Sequence, residues 1–166
     1  MAHLYSKTQL ATLLKDESMS MLFPGLQFAT CTVNLGKASV TDWHVDLKNL
    51  AFGLCALGIF GQFDHRTGGH LILKYAKVVV ELMRGDVVFF LSAIFPHKNA
   101  CIRNDEARRS LVFYSQGGLF RWISEADGRD EDVGEAGGVW NQGIKLLNTW
   151  DVMRDLANSK TTTIVI

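Results

Sequence analysis

Three side chains could build a metal centre. His44 and Asp46 stand two apart in the word HVD, and His97 follows Pro96, fifty-one residues after Asp46. Along an extended strand side chains alternate, so residues two apart share a face. His44 and Asp46 would then present an imidazole and a carboxylate together, and His97 would join them from another strand. Two histidines and one carboxylate are the facial ligand set of non-haem iron(II) oxygenases, which leaves the opposite positions open for a co-substrate and oxygen. The bare HxD spacing is common. Taken singly, His44 could be a core histidine beside Trp43, Asp46 a turn cap, and His97 a surface loop residue.

A second group sits in the run ARRS at 107–110. Period two places Arg108 and Ser110 on one face and turns Arg109 to the other. A guanidinium grips a carboxylate through a two-pronged fork, and a hydroxyl adds a third hydrogen bond. The distal carboxylate of 2-oxoglutarate needs such a hold while its keto-acid end chelates iron. Arg109 is the second choice for this task. The plain alternative is a solvated arginine pair near Asp105 and Glu106.

These residues need a scaffold of short strands. From Gln27 to Trp122, β-branched and aromatic runs recur between Gly, Asp and Asn, and predict strands over 29–34, 43–46, 52–59, 70–73, 77–82, 86–91, 98–102 and 108–114. Turn signals separate them at 34–36, 64–69, 84–86 and 103–105. About eight short strands at close spacing point to an all-β sandwich or barrel. A short amphipathic helix is expected over 8–15, a polar Gly/Asp/Glu-rich loop over 124–138, and a helix over 139–156. The tail 161–166 reads as a strand or as disorder.

Composition sets the outer bounds. The chain has 166 residues, 48% hydrophobic and 20% charged, which suits one domain with its own core. Seventeen basic and seventeen acidic side chains cancel, which argues against a large DNA-wrapping surface but allows a local basic groove. Lys48, Arg66, Lys98, Arg103 and Arg121 are candidates for phosphate contacts. Cys31, Cys55 and Cys101 form no CxxC pair, which excludes a zinc ribbon and predicts reduced thiols. Neither a signal peptide nor a run of about 20 apolar residues is seen, so no membrane association is expected.

The phrases CTVNLG (31–36), HVDLKN (44–49), FGLCAL (52–57), GQFDHRTGGHLIL (61–73), RGDVVFFLSAIFPHKN (84–99) and RRSLVFYSQGGLFRW (108–122) together resemble the TET/JBP group of 2-oxoglutarate dioxygenases. The branch most similar is the one found in fungal genomes beside transposons. The resemblance covers about residues 27–123. It implies a double-stranded β-helix core of jelly-roll or cupin-like type, with helices flanking it at both termini, in a single dioxygenase domain over 1–166. It also implies oxidation of 5-methylcytosine in DNA to 5-hydroxymethylcytosine and, on repetition, to 5-formyl- and 5-carboxylcytosine.

By the same resemblance His44, Asp46 and His97 match the iron ligands, and Arg108 matches the 2-oxoglutarate arginine, with Ser110 and Asn34 assigned to the same co-substrate site. Asn49 matches an asparagine that hydrogen-bonds the flipped base, as an amide can because it offers both donor and acceptor; a turn residue is the plain alternative. His70 could face the pocket or only flank a strand turn. The implied cofactors are Fe(II), 2-oxoglutarate and O2. The implied partner is DNA containing 5-methylcytosine, with no obligate protein partner and a monomer expected. Nuclear localisation follows from that substrate class alone. The cysteine-rich zinc region that vertebrate members carry ahead of this core has no counterpart in this sequence, so the resemblance speaks for iron chemistry more than for duplex affinity.

Two alternatives stay open. The same iron chemistry could act on N6-methyladenine, thymine, methylated RNA or a small molecule, since substrate choice lies in loops such as 47–50 and 64–70. The chain could also be a catalytically silent nucleic-acid-binding or cupin-like module.

Overall fold

The computed structural model describes residue 26 and residues 28–120. The helices expected over 8–15 and 139–156, the loop over 124–138 and the tail lie outside the described residues. Seven strands are present among those described: β1 (Thr30–Asn34), β2 (Cys55–Gln62), β3 (Leu71–Leu73), β4 (Val78–Val80), β5 (Val87–Phe90), β6 (His97–Asn99) and β7 (Ala107–Tyr114). They form a four-stranded sheet in the order β1-β7-β2-β5 and a three-stranded sheet in the order β4-β3-β6. Every pairing within the two sheets is antiparallel. The expectation of a mostly β architecture is met.

Alternation along the strands builds the core. Cys55, Leu57 and Ile59 of β2, Phe90 of β5, and Leu71 and Leu73 of β3 form one buried cluster, drawn from both sheets. Leu71 is fully buried. Burying an aliphatic side chain of this size contributes roughly 1.5–3 kcal/mol, so these few residues anchor one sheet on the other. A smaller cluster joins Leu50 and Phe52 to Phe120.

Two expected strands are displaced. No strand spans 43–46. His44 makes a single bridge to His97, after which the backbone turns: Leu47 N–H donates to Val45 O and Asn49 N–H to Asp46 O. The strand expected over 52–59 begins only at Cys55, because Gly53 N–H donates to Leu50 O and closes a turn first. In a continuous apolar run such as FGLCALGIF, periodicity does not mark where extension begins.

Candidate metal centre

His44 lies on the single bridge to β6 and His97 is the first residue of β6. The two exchange backbone hydrogen bonds, His44 N–H to His97 O at 3.1 Å and His97 N–H to His44 O at 3.0 Å. Their rings lie 4.2 Å apart, centroid to centroid. Asp46 arrives by a different route. Its N–H donates to Ser92 O at 3.0 Å, and its Oδ1 lies 3.7 Å from His44 Nε2. One ligand atom from each of His44, Asp46 and His97 falls within 4.8 Å of the others.

Hydrogen bonding prepares both imidazoles for a cation. His44 Nδ1 donates to Asp42 O at 2.7 Å, and His97 Nδ1 donates to Phe95 O at 2.8 Å. A carbonyl only accepts, so Nδ1 carries the proton in each ring and Nε2 keeps its lone pair. Metal-binding histidines are commonly fixed in this way. Burial holds His97 below the usual histidine pKa against the opposing pull of its bond to Phe95 O, with the neighbouring His44 lowering it further. A neutral imidazole is the form that ligates.

The three residues line a cavity of about 550 Å³ between the two sheets, within the size range of small-molecule sites. Asn34 and Ser110 line it from the larger sheet, and Asn49 from the turn after Asp46. Asn34 Nδ2 donates to Ser110 Oγ at 3.0 Å, which leaves the hydroxyl proton of Ser110 free for an anionic ligand. Cys55 lines the same cavity. Burial pushes its thiol up to about 12, with a Ser92 hydrogen bond pulling against that and the Asp46 charge adding to it.

Arg108 stands two residues from Ser110 on the same face of β7 and is fully buried, although it is not on the cavity wall. Its Nε donates to Gly69 O at 3.0 Å and its Nη1 to Ser39 O at 3.2 Å. Its Nη2 is buried without a partner, and desolvation lowers its pKa to about 10. An unpaired buried donor of this kind costs roughly 1–3 kcal/mol, a cost that a ligand carboxylate would relieve. Arg109 turns away, donating from Nε to Leu35 O on the exposed side.

The word GGH serves the arginine. Gly69 adopts φ +75° and presents the carbonyl that holds Arg108; a Cβ there would sit 3.0 Å from Arg108 Cδ. His70 does not line the cavity. It precedes Leu71, whose side chain faces the core, and its carbonyl accepts from Ala100 N–H.

Of the phosphate candidates, Arg103 is engaged by Glu106 at 2.9 Å, Lys98 Nζ lies 4.9 Å over the Trp43 ring, and Arg121 lies outside the described residues. Lys48 and Arg66 are exposed. Asn99 and Ser92 were not singled out from sequence. Asn99 stands two after His97 and lines the cavity, donating to Ser39 O, so strand alternation from His97 could have found it.

Comparison with known proteins gives one line of support. A solved structure of NgTET1 in complex with 5mC DNA matches this chain with a TM-score of 0.54 at 22% sequence identity, over 69% of this chain and 43% of that one. The chain therefore spans less than half the length of that neighbour. No family model matches the sequence, and no curated protein matches it. At this identity the likeness establishes a shared TET-like fold, with the candidate metal ligands gathered at the cavity between its sheets.

Proposed function

We propose that this chain is an Fe(II)- and 2-oxoglutarate-dependent dioxygenase of the TET/JBP group, in its fungal transposon-associated branch, built on a double-stranded β-helix. The substrate in this reading is 5-methylcytosine in DNA, oxidised to 5-hydroxymethylcytosine and, on repetition, to formyl and carboxyl forms. The observation that carries the reading is the convergence of His44, Asp46 and His97, with both Nδ1 protons committed to carbonyls. The neighbour's 5mC DNA supports the substrate class. A DNA substrate would place the protein in the nucleus.

The residues present fit the cofactors. His44 Nε2, His97 Nε2 and an Asp46 oxygen would hold the metal, the Ser110 hydroxyl on the cavity wall would take a distal carboxylate, and Arg108, buried behind that wall with Nη2 unpaired, would reach the same carboxylate where the wall opens beside Ser110. Once bound, iron(II), 2-oxoglutarate and O2 supply the oxidising power to hydroxylate a methyl group. The chain's own part is orientation. The paired backbone bonds between His44 and His97 hold the imidazoles rigidly, Ser92 anchors the Asp46 backbone, and the apolar wall from Leu57, Leu71 and Phe90 limits water. Asn49, which lines the cavity, would be the residue to meet a base extruded from the stack.

The test is direct. The protein is incubated with iron(II), 2-oxoglutarate, ascorbate and oligonucleotides carrying 5-methylcytosine, and nucleosides are quantified by mass spectrometry. Hydroxymethylcytosine with matching succinate supports the reading. Succinate without base oxidation transfers the same chemistry to another substrate, with N6-methyladenine, thymine, methylated RNA and small molecules tried in turn. Absence of any charge-transfer band in anaerobic titration with iron(II) and 2-oxoglutarate overturns it in favour of a silent binding module.

A further inference from the structure

A carboxamide nitrogen has two protons, and both of those on Asn49 are in use. Asn49 Nδ2 donates to Asp46 Oδ2 at 3.3 Å and to Ser92 Oγ at 3.1 Å. The side-chain acceptor Oδ1 takes no hydrogen bond from the described residues, and Asn49 lines the cavity. Ser92 is 1% exposed and acts on both neighbours at once. Its backbone carbonyl takes the Asp46 N–H, while its hydroxyl oxygen takes the Asn49 amide. It stands two residues after the end of β5, and its own N–H bonds back to Phe90 O at 3.1 Å, so this support is tied to the larger sheet.

We infer that Ser92 is a positioning residue that sets the Asp46 carboxylate and the Asn49 carboxamide together, leaving Asn49 Oδ1 as an acceptor facing the cavity. Asp46 determines the orientation of the amide, and the Ser92 hydroxyl holds it there. A carboxylate can only accept, so the amide must turn its nitrogen to Asp46, and the neighbouring hydroxyl oxygen takes the remaining proton. Flipping the carboxamide would set Asn49 Oδ1 against the Asp46 carboxylate, two acceptors facing each other, whereas the Ser92 hydroxyl can accept or donate and follows the choice that Asp46 makes. The cavity therefore offers a hydrogen-bond acceptor beside the metal ligands. A base with an exocyclic amino group matches it, whereas the 4-oxo group of thymine opposes it. This selectivity rests on the proposed function; the hydrogen-bond arrangement itself does not.

The experiment has two arms. In the first, proton exchange of the Asn49 carboxamide is followed by NMR in the metal-free protein, with exposed Asn104 as internal reference. Both Asn49 protons are expected to exchange at least roughly tenfold slower than those of Asn104, about the tenfold that one net hydrogen bond represents. In Ser92→Ala one of the two loses that protection, and Ser92→Thr, which keeps the hydroxyl, restores it. If Ser92→Ala fails to fold, Ser92→Cys, of similar shape and weak as an acceptor, takes its place. In the second arm, Mn(II) affinity is expected to fall roughly 10- to 100-fold in Asn49→Ala, which removes the amide behind the Asp46 carboxylate, and the preference for 5-methylcytosine over thymine oligonucleotides is expected to shrink in Ser92→Ala, which keeps the backbone bond to Asp46 and loses the hydroxyl that holds Asn49. Exchange at the Asn104 rate in the wild type, unchanged protection in Ser92→Ala, or unchanged Mn(II) affinity in Asn49→Ala overturns the inference. A wild-type protein that protects both protons yet shows no charge-transfer band with iron(II) and 2-oxoglutarate overturns the proposed function and leaves the positioning by Ser92 standing.

Discussion

His44 and His97 exchange two backbone hydrogen bonds, at 3.1 and 3.0 Å, and this one bridge sets their imidazoles 4.2 Å apart. It also places Trp43 and Lys98 together, with the lysine ammonium 4.9 Å over the indole ring. One pairing thus brings together two of the three candidate ligands and their own brace.

His44→Ala and Asp46→Ala should each abolish metal binding while sparing the fold. Their side chains are 39% and 30% exposed, so thermal stability should change by no more than about 1 kcal/mol. Affinity for Mn(II), read by calorimetry, should fall beyond the roughly 100-fold that supporting residues cost. Unchanged titration in either variant would remove that residue from the ligand set.

Arg108→Met keeps the aliphatic stem and deletes the fork. The Gly69 and Ser39 carbonyls lose their guanidinium donor, so stability should drop by about 2 kcal/mol or more, and 2-oxoglutarate affinity should fall sharply. Arg109→Ala, on the exposed side, should stay within about 0.5 kcal/mol and leave co-substrate binding intact. Equilibrium binding of 2-oxoglutarate to both variants decides between them; loss in Arg109→Ala alone would reassign the site.

Two glycines separate backbone strain from steric contact. Gly69→Ala puts a methyl 2.8 Å from Phe63 Cε2 and 3.0 Å from Arg108 Cδ at φ +75°, whereas Gly85→Ala, at φ +97°, meets nothing within 4 Å. Gly85→Ala should cost about 1–3 kcal/mol from backbone strain alone. Gly69→Ala should cost more by denaturant unfolding and should also weaken 2-oxoglutarate binding, because the arginine must shift. Equal costs would mean that the Arg108 contact yields freely.

Glu106 accepts from Arg103 N–H, Asp64 N–H and Arg103 Nη2. These bonds, the Arg103 N–H first, hold its carboxyl below the usual value of 4.5. Its folded pKa is depressed, so its contribution is present above pH 4.5 and is lost as pH falls from there through the folded value. Thermal unfolding against pH should therefore show a flatter acid limb in Glu106→Gln than in the wild type. Parallel limbs would show that the bonds from Asp64 and Arg103 do not depend on this carboxylate's charge.

Much of the site is legible along the chain. Alternation on a strand assigns Arg108 and Ser110 to one face and Arg109 to the other, and the structure places them so. His44 and Asp46 reach the same cavity although no strand carries both: one bridge and a turn do what period two suggested. Asn49 and Asn34 line that cavity too, whereas His70 does not, and the glycines before it act on Arg108 instead.

Side-chain alternation and composition are local properties, so the sequence by itself determined a β-rich chain, the triad of candidate ligands and the inward arginine. The tertiary structure decided what depends on pairing between distant segments. The bridge from His44 to His97, the Gly69 carbonyl under Arg108, and Ser92 beneath Asp46 and Asn49 each join residues more than 35 positions apart. No periodicity along the chain encodes such register, because it is set by which backbone donors and acceptors remain to be satisfied once the two sheets close over their shared apolar core.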